Sequence, residues 1–316
     1  SKDKTSAIRV LDILNWMVEL AKSGKNDLAL PEIQCFTMVL HMIARKGDEV
    51  AGRDAEDIFR LMESIYTRDG TTVKHFNSVL DAWRNSGVPE ASQRTEDILN
   101  YMDELVNAGF IQVRPNLFSH SSVIQTISKS GDKSRFRRVN HLLRRLEKEF
   151  QNGNGYILPN NVVHNIVLDM WAKSDHPNAA KNTKKILDRM TKLSQLPGLQ
   201  KCTPDAYSYA SVMNACADTK GSILKRLYCY QMAREAFEEL RKNENSEVYA
   251  NHVIYGTMMK ACGTLLRKDE EFRYKETRDI FNKCIQDGQA GDMFISRLRQ
   301  AACADLYHEL MDGNKK

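Results

Sequence analysis

Proline and glycine are scarce. Seven prolines and sixteen glycines in 316 residues leave little to interrupt a helix, so long helices are permitted nearly everywhere. No run of 18 apolar residues occurs, so no membrane-inserted helix is expected. Neither charge sign dominates, with 46 Lys and Arg against 41 Asp and Glu, a net +5. Such a balance tolerates a nucleic-acid partner without demanding one. The cysteines are odd in number (Cys35, Cys202, Cys216, Cys229, Cys262, Cys284 and Cys303) and include no CxxC pair. Most fall inside apolar helical patterns, where the thiol acts as a small hydrophobe, as in a reducing compartment. The signatures HExxH, GxxxxGKS/T, GxSxG and HxE with CxxC are also missing, so a non-catalytic chain without cofactor or metal is expected.

What is present is repetition. Phe36, Val39, Leu40 and Ile43 stand at offsets of zero, three, four and seven, which places them on one helical face. The template returns as Phe76, Val79, Leu80, Trp83, as His120, Val123, Ile124, Ile127, and as His164, Val167, Leu168, Trp171. It returns twice more as Tyr209, Val212, Met213, Cys216 and as Tyr255, Met258, Met259, Cys262. These six copies, spaced by 40, 44, 44, 45 and 46 residues, define one helix, termed helix A. A helix B follows each copy. In the first four repeats Met62, Met102, Leu146 and Met190 lie 26 residues after the first residue of the template. Copies of this kind are the mark of a stacked array in which each unit buries its apolar face against its neighbours. An all-α solenoid of helix–turn–helix repeats is therefore expected.

Punctuation sets the boundaries. Pro31, Pro115, Pro159 and Pro204 precede helix A, where proline suits the first turn. Gly87 and Gly131 follow it as expected C-terminal caps. Loops at 107–109, 152–155 and 197–198 close helix B. The expected units are 31–71, 72–114, 115–158, 159–203, 204–250 and 251–290. Residues 1–30, with an apolar stripe through Ile8, Leu11, Leu14, Met17 and Val18, read as the second half of a preceding repeat. The natural protein is thus expected to extend further N-terminally, with any targeting segment there. Residues 291–316 are expected to cap the stack with one amphipathic helix over 294–311. By spacing, Trp16, Trp83 and Trp171 are expected in the core. His120 and His164, in the aromatic column, are expected to pack rather than bind metal.

The strings PDAYSYASVMNA at 204–215 and HFNSVLDAW at 75–83 resemble the pentatricopeptide repeat family. The resemblance covers about residues 31–290. It departs in length, about 44 residues per repeat here against about 35 in the family, with the excess placed in loops. It implies an α-α superhelical solenoid that binds single-stranded RNA one base per repeat. It also implies a mitochondrial or chloroplast setting and a role in RNA processing, stabilisation or translation. The deaminase or endonuclease tails of some relatives have no counterpart. The tetratricopeptide pattern of Trp, Leu-Gly and Tyr is absent.

Carried over from the family, the base-facing pairs are Thr37 with Thr72, Asn77 with Asn116, Ser121 with Asn160, Asn165 with Asp205, Ala210 with Asn251, and Gly256 with Asp292. Only the middle pairs resemble readers. By family habit Asn with Asp favours uracil, Asn with Asn pyrimidines, and Ser with Asn adenine. The same residue types also suit caps and turns. Arg45, Arg84, Lys129 and Lys173, near the end of helix A, could meet phosphates or simply favour a helix C-terminus. The densest charge lies at 133–148, with seven Lys or Arg and one Glu. There Arg137, Arg144 and Lys148 fall opposite the apolar stripe of helix B, on an expected convex face suited to structured RNA or an acidic protein. Alternatives to a free single-strand binder therefore stay open. One is a structural subunit of a large organellar ribonucleoprotein such as a ribosome, contacting ribosomal RNA and proteins. Another is a pure protein scaffold.

Overall fold

The computed structural model describes residues 2–66, 70–151, 157–242 and 248–312. The expected loop at 152–155 lies outside these, as do the side chains of Ile8 and Leu11. All regular structure among the described residues is helical, and no described helix is long and apolar enough to cross a membrane. The chain forms two compact units, residues 1–158 and 159–316.

In the first unit α1 (Lys2–Lys22) precedes three A/B pairs: α2 (Ile33–Lys46) with α3 (Ala51–Ile65), α4 (Val73–Ser86) with α5 (Ala91–Asn107), and α6 (Leu117–Lys129) with α7 (Arg135–Gln151). The second unit holds α8 (Asn161–Ala172) with α9 (Ala179–Ser194), α10 (Ala206–Ala217) with α11 (Ile223–Arg241), and α12 (His252–Leu265) with α13 (Glu270–Gln286). It ends in α14 (Asp292–Ala301) and α15 (Ala304–Asp312). The tail read as one helix is thus two. α14 takes the place of a seventh A helix, and the chain breaks at Ala302, whose backbone is extended. The break lets Leu306 and Leu310 of α15 turn inward and become buried.

Within each unit successive A helices pack directly on one another, α2 on α4 and α4 on α6, then α8 on α10, α10 on α12 and α12 on α14. Small buried side chains at their flanks permit this approach: Ser78 and Ala82 on α4, Ser119 and Ser122 on α6, Ser211 and Ala215 on α10. Interaxial distance follows side-chain size at the contact. The B helices pack in the grooves between A helices and are bridged to each other by long charged side chains. Arg94 pairs with Glu56, and Arg138 with Glu96 at 2.5 Å, in the first unit. Arg234 with Glu276 at 2.5 Å and Lys283 with Glu238 at 2.6 Å do the same in the second. Within each unit the A helices therefore form one close layer and the B helices a second, wider-spaced one.

The first template position is buried in all six repeats: Phe36, Phe76, His120, His164, Tyr209 and Tyr255. So are Met62, Met102, Leu146 and Met190 on helix B. Trp83 and Trp171 are buried, but Trp16 is 59% exposed. Leu14 and Val18 form the inward stripe of α1, and Trp16, two residues from each, points about 200° away from them around the helix. Pro31, Pro115, Pro159 and Pro204 sit one residue outside their helices, just before the N-caps Glu32, Asn116, Asn160 and Asp205, rather than in the first turn. Gly87 caps α4 at a φ of 67°, and Gly47, not singled out by the sequence, caps α2 at 59°. Gly131 is not a cap. Ser130 takes that place on α6, its hydroxyl donating to the Ile127 carbonyl at 2.8 Å.

Candidate functional site

Two of the sequence-predicted pairs, Asn77 with Asn116 and Asn165 with Asp205, meet where the fifth residue of one A helix reaches the start of the next. An A helix begins with a polar N-cap because its first N–H groups need acceptors. Asn116 accepts from the N–H of Ser119, and Asp205 from that of Ser208, each in a reciprocal capping box. Stacking of A helices brings the preceding helix against this cap. Asn77 donates to Asn116 Oδ1 at 3.4 Å and accepts from the Ser119 hydroxyl at 2.7 Å. One repeat type recurs in the second unit. Asn165 Nδ2 donates to the Asp205 carboxylate at 3.0 and 3.2 Å, and its Oδ1 accepts from Ser208 at 2.7 Å. Asn161 adds a further donor to Asp205 at 2.9 Å.

These triads leave distinct polar capacity at a half-exposed surface. Each Nδ2 carries two hydrogens. Asn116 has both of its own free, so the Asn77–Asn116 site offers donors. At the Asn165–Asp205 site an amide donor stands beside a carboxylate that already accepts from Ser208, Asn165 and Asn161, so a base edge would exchange with one of these donors. A donor next to an acceptor is the complement of a base edge that carries an N–H beside a carbonyl, as the edge of uracil does.

The other pairs behave differently. Thr37 does not bond Thr72. Its hydroxyl donates to the Ile33 carbonyl at 3.1 Å and meets His75 Nε2 at 2.9 Å. The Thr72 N–H donates to His75 Nδ1 at 3.1 Å, so Nε2 carries the ring proton and donates to Thr37. Burial, with His41 and Lys74 nearby, holds the His75 pKa below its ordinary value. Thr37 is thereby saturated. Ser121 turns back to the Leu117 carbonyl at 2.6 Å, and Asn160 caps α8 through the Val163 N–H. Asn251 caps α12, while Ala210 offers no polar atom. Asp292 is the first helical residue of α14 and Gly291 is its N-cap, so the carry-over to Asp292 is one residue out of register. Gly256 lies under Met293, whose Cε would stand 3.0 Å from an added Cβ.

The exposed side of the A helices also carries a column that the sequence reading missed. Two residues after each N-cap stand Gln34, Lys74 and Phe118 in the first unit, and Val162, Tyr207, Val253 and Met293 in the second. Phe118, Val162, Tyr207, Val253 and Met293 are 40–56% exposed. Phe118 and Tyr207 follow the triad caps Asn116 and Asp205 by two residues. The available signal was a constant offset: in six of these repeats the residue stands two places before the buried aromatic or histidine column, outside the apolar stripe. The Tyr207 hydroxyl donates to Asp169 at 2.7 Å, and burial together with that carboxylate pushes its pKa up to about 12.

The cations at the ends of the A helices divide. Arg45 and Lys129 are exposed and have no ion-pair partner among the described residues. Lys173 pairs with Asp169 at 2.8 Å. Arg84 pairs with Asp81 at 3.0 Å, reaches Gln125 at 3.4 Å and lies 6.0 Å over the Phe118 ring. It stands eight residues after its template residue where the others stand nine, so it is rotated by about 100°. Burial raises the Asp81 pKa against the pull of Arg84. Lys260 is held by Asp218 at 2.7 Å. Arg137, Arg144 and Lys148 lie elsewhere, exposed on α7. No group of three or more His, Cys, Asp or Glu among the described residues could hold a metal ion.

No family model matches the sequence, and no curated protein does. Among solved structures the chain is similar to the crystal structure of the pentatricopeptide repeat protein PPR10 in complex with an 18-nt PSAJ RNA element. The identity is 16% and the TM-score 0.32, over 95% of this chain and 48% of that one. The chain thus spans about half the length of that protein.

Proposed function

We propose that the chain is a non-catalytic RNA-binding repeat protein that holds single-stranded RNA along the exposed side of its A helices. The observation that carries this reading is the Asn165–Asp205–Ser208 triad set beside the exposed Tyr207 ring. Hydrogen-bonding groups for a base edge and a surface for a base face stand side by side. The Asn77–Asn116–Ser119 triad beside Phe118 repeats the arrangement in the other unit. Stacking on such rings is sequence-tolerant, while the triads add preference. Base reading is short because Thr37, Ala210 and Gly256 have nothing to offer. The resemblance to pentatricopeptide repeats agrees with this reading, and adds the organellar setting and a role in RNA processing, stabilisation or translation.

The test is titration of a pyrimidine-rich RNA oligomer by fluorescence anisotropy. Tyr207→Ala should weaken binding by about 1–3 kcal/mol, the range for one stacked base. Asn165→Ala should reduce discrimination between pyrimidine and purine oligomers while leaving the salt dependence nearly unchanged. Wild-type affinity in both variants, with helicity intact, would overturn the reading.

A further inference from the structure

The outer side of α7 carries a second charged surface that the A-face reading does not use. α7 holds two rows of cations. One row is consumed by α5: Arg138 bonds Glu96 at 2.5 Å and the Ser92 carbonyl at 2.9 Å, and Arg145 pairs with Asp103 and, at 2.9 Å, with Glu149. The other row is Arg137, His141, Arg144 and Lys148. All four are exposed, and none has an ion-pair or hydrogen-bond partner among the described residues. Its fixed cations stand about 10.5 Å and about 6 Å apart along the helix at 1.5 Å per residue. At the same register α5 presents Gln93, Asp97, Asn100 and Glu104, and α3 presents Arg53, Asp57, Arg60 and Ser64. The concentration of unpaired positive charge belongs to α7 within its unit.

We propose that this row is a docking site for the phosphate backbone of double-helical RNA, separate from the single-strand surface of the A helices. Charge complementarity supplies the attraction, and the guanidinium forks of Arg137 and Arg144 suit phosphate oxygens. The choice of RNA over an acidic protein rests on what surrounds the row. No large apolar side chain is exposed on α7, whereas a protein interface builds its centre from aromatic and apolar anchors. The choice of a duplex over a single strand rests on the same fact. A single strand is held by stacking on successive exposed rings, and α7 exposes no Phe, Tyr or Trp, His141 being its one exposed ring. A polar, wet, basic strip fits a helical backbone read by shape.

The experiment uses the whole chain, a blunt RNA duplex without loops, and the pyrimidine-rich oligomer, each titrated at several salt concentrations. The triple variant Arg137→Gln, Arg144→Gln, Lys148→Gln should bind the duplex about tenfold or more weakly. Its slope of log affinity against log salt should be shallower by about one unit per lost contact. Its affinity for the single strand should be unchanged, which separates this proposal from the A-face reading. A control variant removes equal charge from other exposed sites, Lys220→Gln, Arg267→Gln and Lys268→Gln. Three results would overturn the proposal: no duplex binding by the wild type, equal loss in the control, or displacement of the duplex by polyglutamate at equal charge concentration. The last would assign the row to an acidic protein instead.

Discussion

His120 fills the place that Phe36, Phe76, Tyr209 and Tyr255 take in other repeats, and it does so without a hydrogen bond to either ring nitrogen. Burial, with Arg145 adding to it, pushes its pKa down to about 3. His164, in the equivalent place, instead donates from Nδ1 to the Asn160 carbonyl at 2.8 Å. The sign follows from linkage. The folded chain holds His120 neutral while the unfolded chain protonates it near its ordinary value. Its contribution is therefore complete above about pH 6.5 and falls as pH drops toward the folded value, by about 2 kcal/mol at about pH 5. His120→Phe should remove this share of the acid sensitivity together with the unpaired nitrogens, raising stability by roughly 1–3 kcal/mol. Thermal melts at neutral and mildly acidic pH check this, and a variant as acid-labile as the wild type would refute it. The column to which His120 belongs was legible because four residues at a fixed spacing repeat six times. The saturation of Thr37 was not, since it depends on His75 from the next repeat, and no local pattern shows which side chain a neighbouring helix will present. Ser119 and Ser208 escaped notice for the same reason, each looking like an ordinary capping residue until Asn77 or Asn165 is seen to reach it.

At the level of elements, the crossing of α3 and α4 depends on a missing side chain. A Cβ added at Gly52 would lie 2.3 Å from the Trp83 ring. Trp83 is wedged there, with its indole N–H donating to Glu56 at 2.8 Å. Arg94 of α5 binds the same carboxylate, its Nε at 3.1 Å, so one acid ties three consecutive helices together. Gly52→Ala gains helix propensity, worth about 1 kcal/mol. Yet it must push a buried ring and a satisfied carboxylate aside, and overpacking of this kind costs about 1–3 kcal/mol or more. The net expected outcome is destabilisation, read as a lower denaturant midpoint, and an unchanged or raised midpoint would show that the ring can yield. Trp83→Ala should cost about 3–5 kcal/mol. The helix A stripe predicted that Trp83 is buried, but only the structure shows why position 52 is glycine. The split of the tail into α14 and α15 was hidden in the same way. An added Cβ at Gly263 would stand 3.0 Å from Ala301 Cα, so α14 ends in close backbone contact with α12, and amphipathic spacing across 294–311 does not reveal that stop.

At the scale of the whole molecule, the A helices of each unit pack on the A helices next to them in sequence, α2 on α4 and α4 on α6 in the first and α8 on α10, α10 on α12 and α12 on α14 in the second, with their B helices alongside. The energy of such a stack is approximately a sum of repeat terms and nearest-neighbour terms. A defect should therefore be felt locally, and stability should vary along the chain rather than being shared evenly. Gly52→Ala provides the test because its strain starts at the contact between α3 and α4 and reaches α5 only through Glu56 and Arg94. Native-state hydrogen exchange should show faster exchange at amides of α2, α3, α4 and α5. Amides of α10, α11, α12 and α13, several repeats away in sequence, should keep wild-type protection. If protection falls by the same factor in both sets, the chain unfolds as a single cooperative body and nearest-neighbour addition fails. Local loss alone would mean that the Asn165–Asp205 site keeps its geometry when Trp83 is disturbed. The same variant should then retain single-strand binding through the second unit while its first unit is weakened.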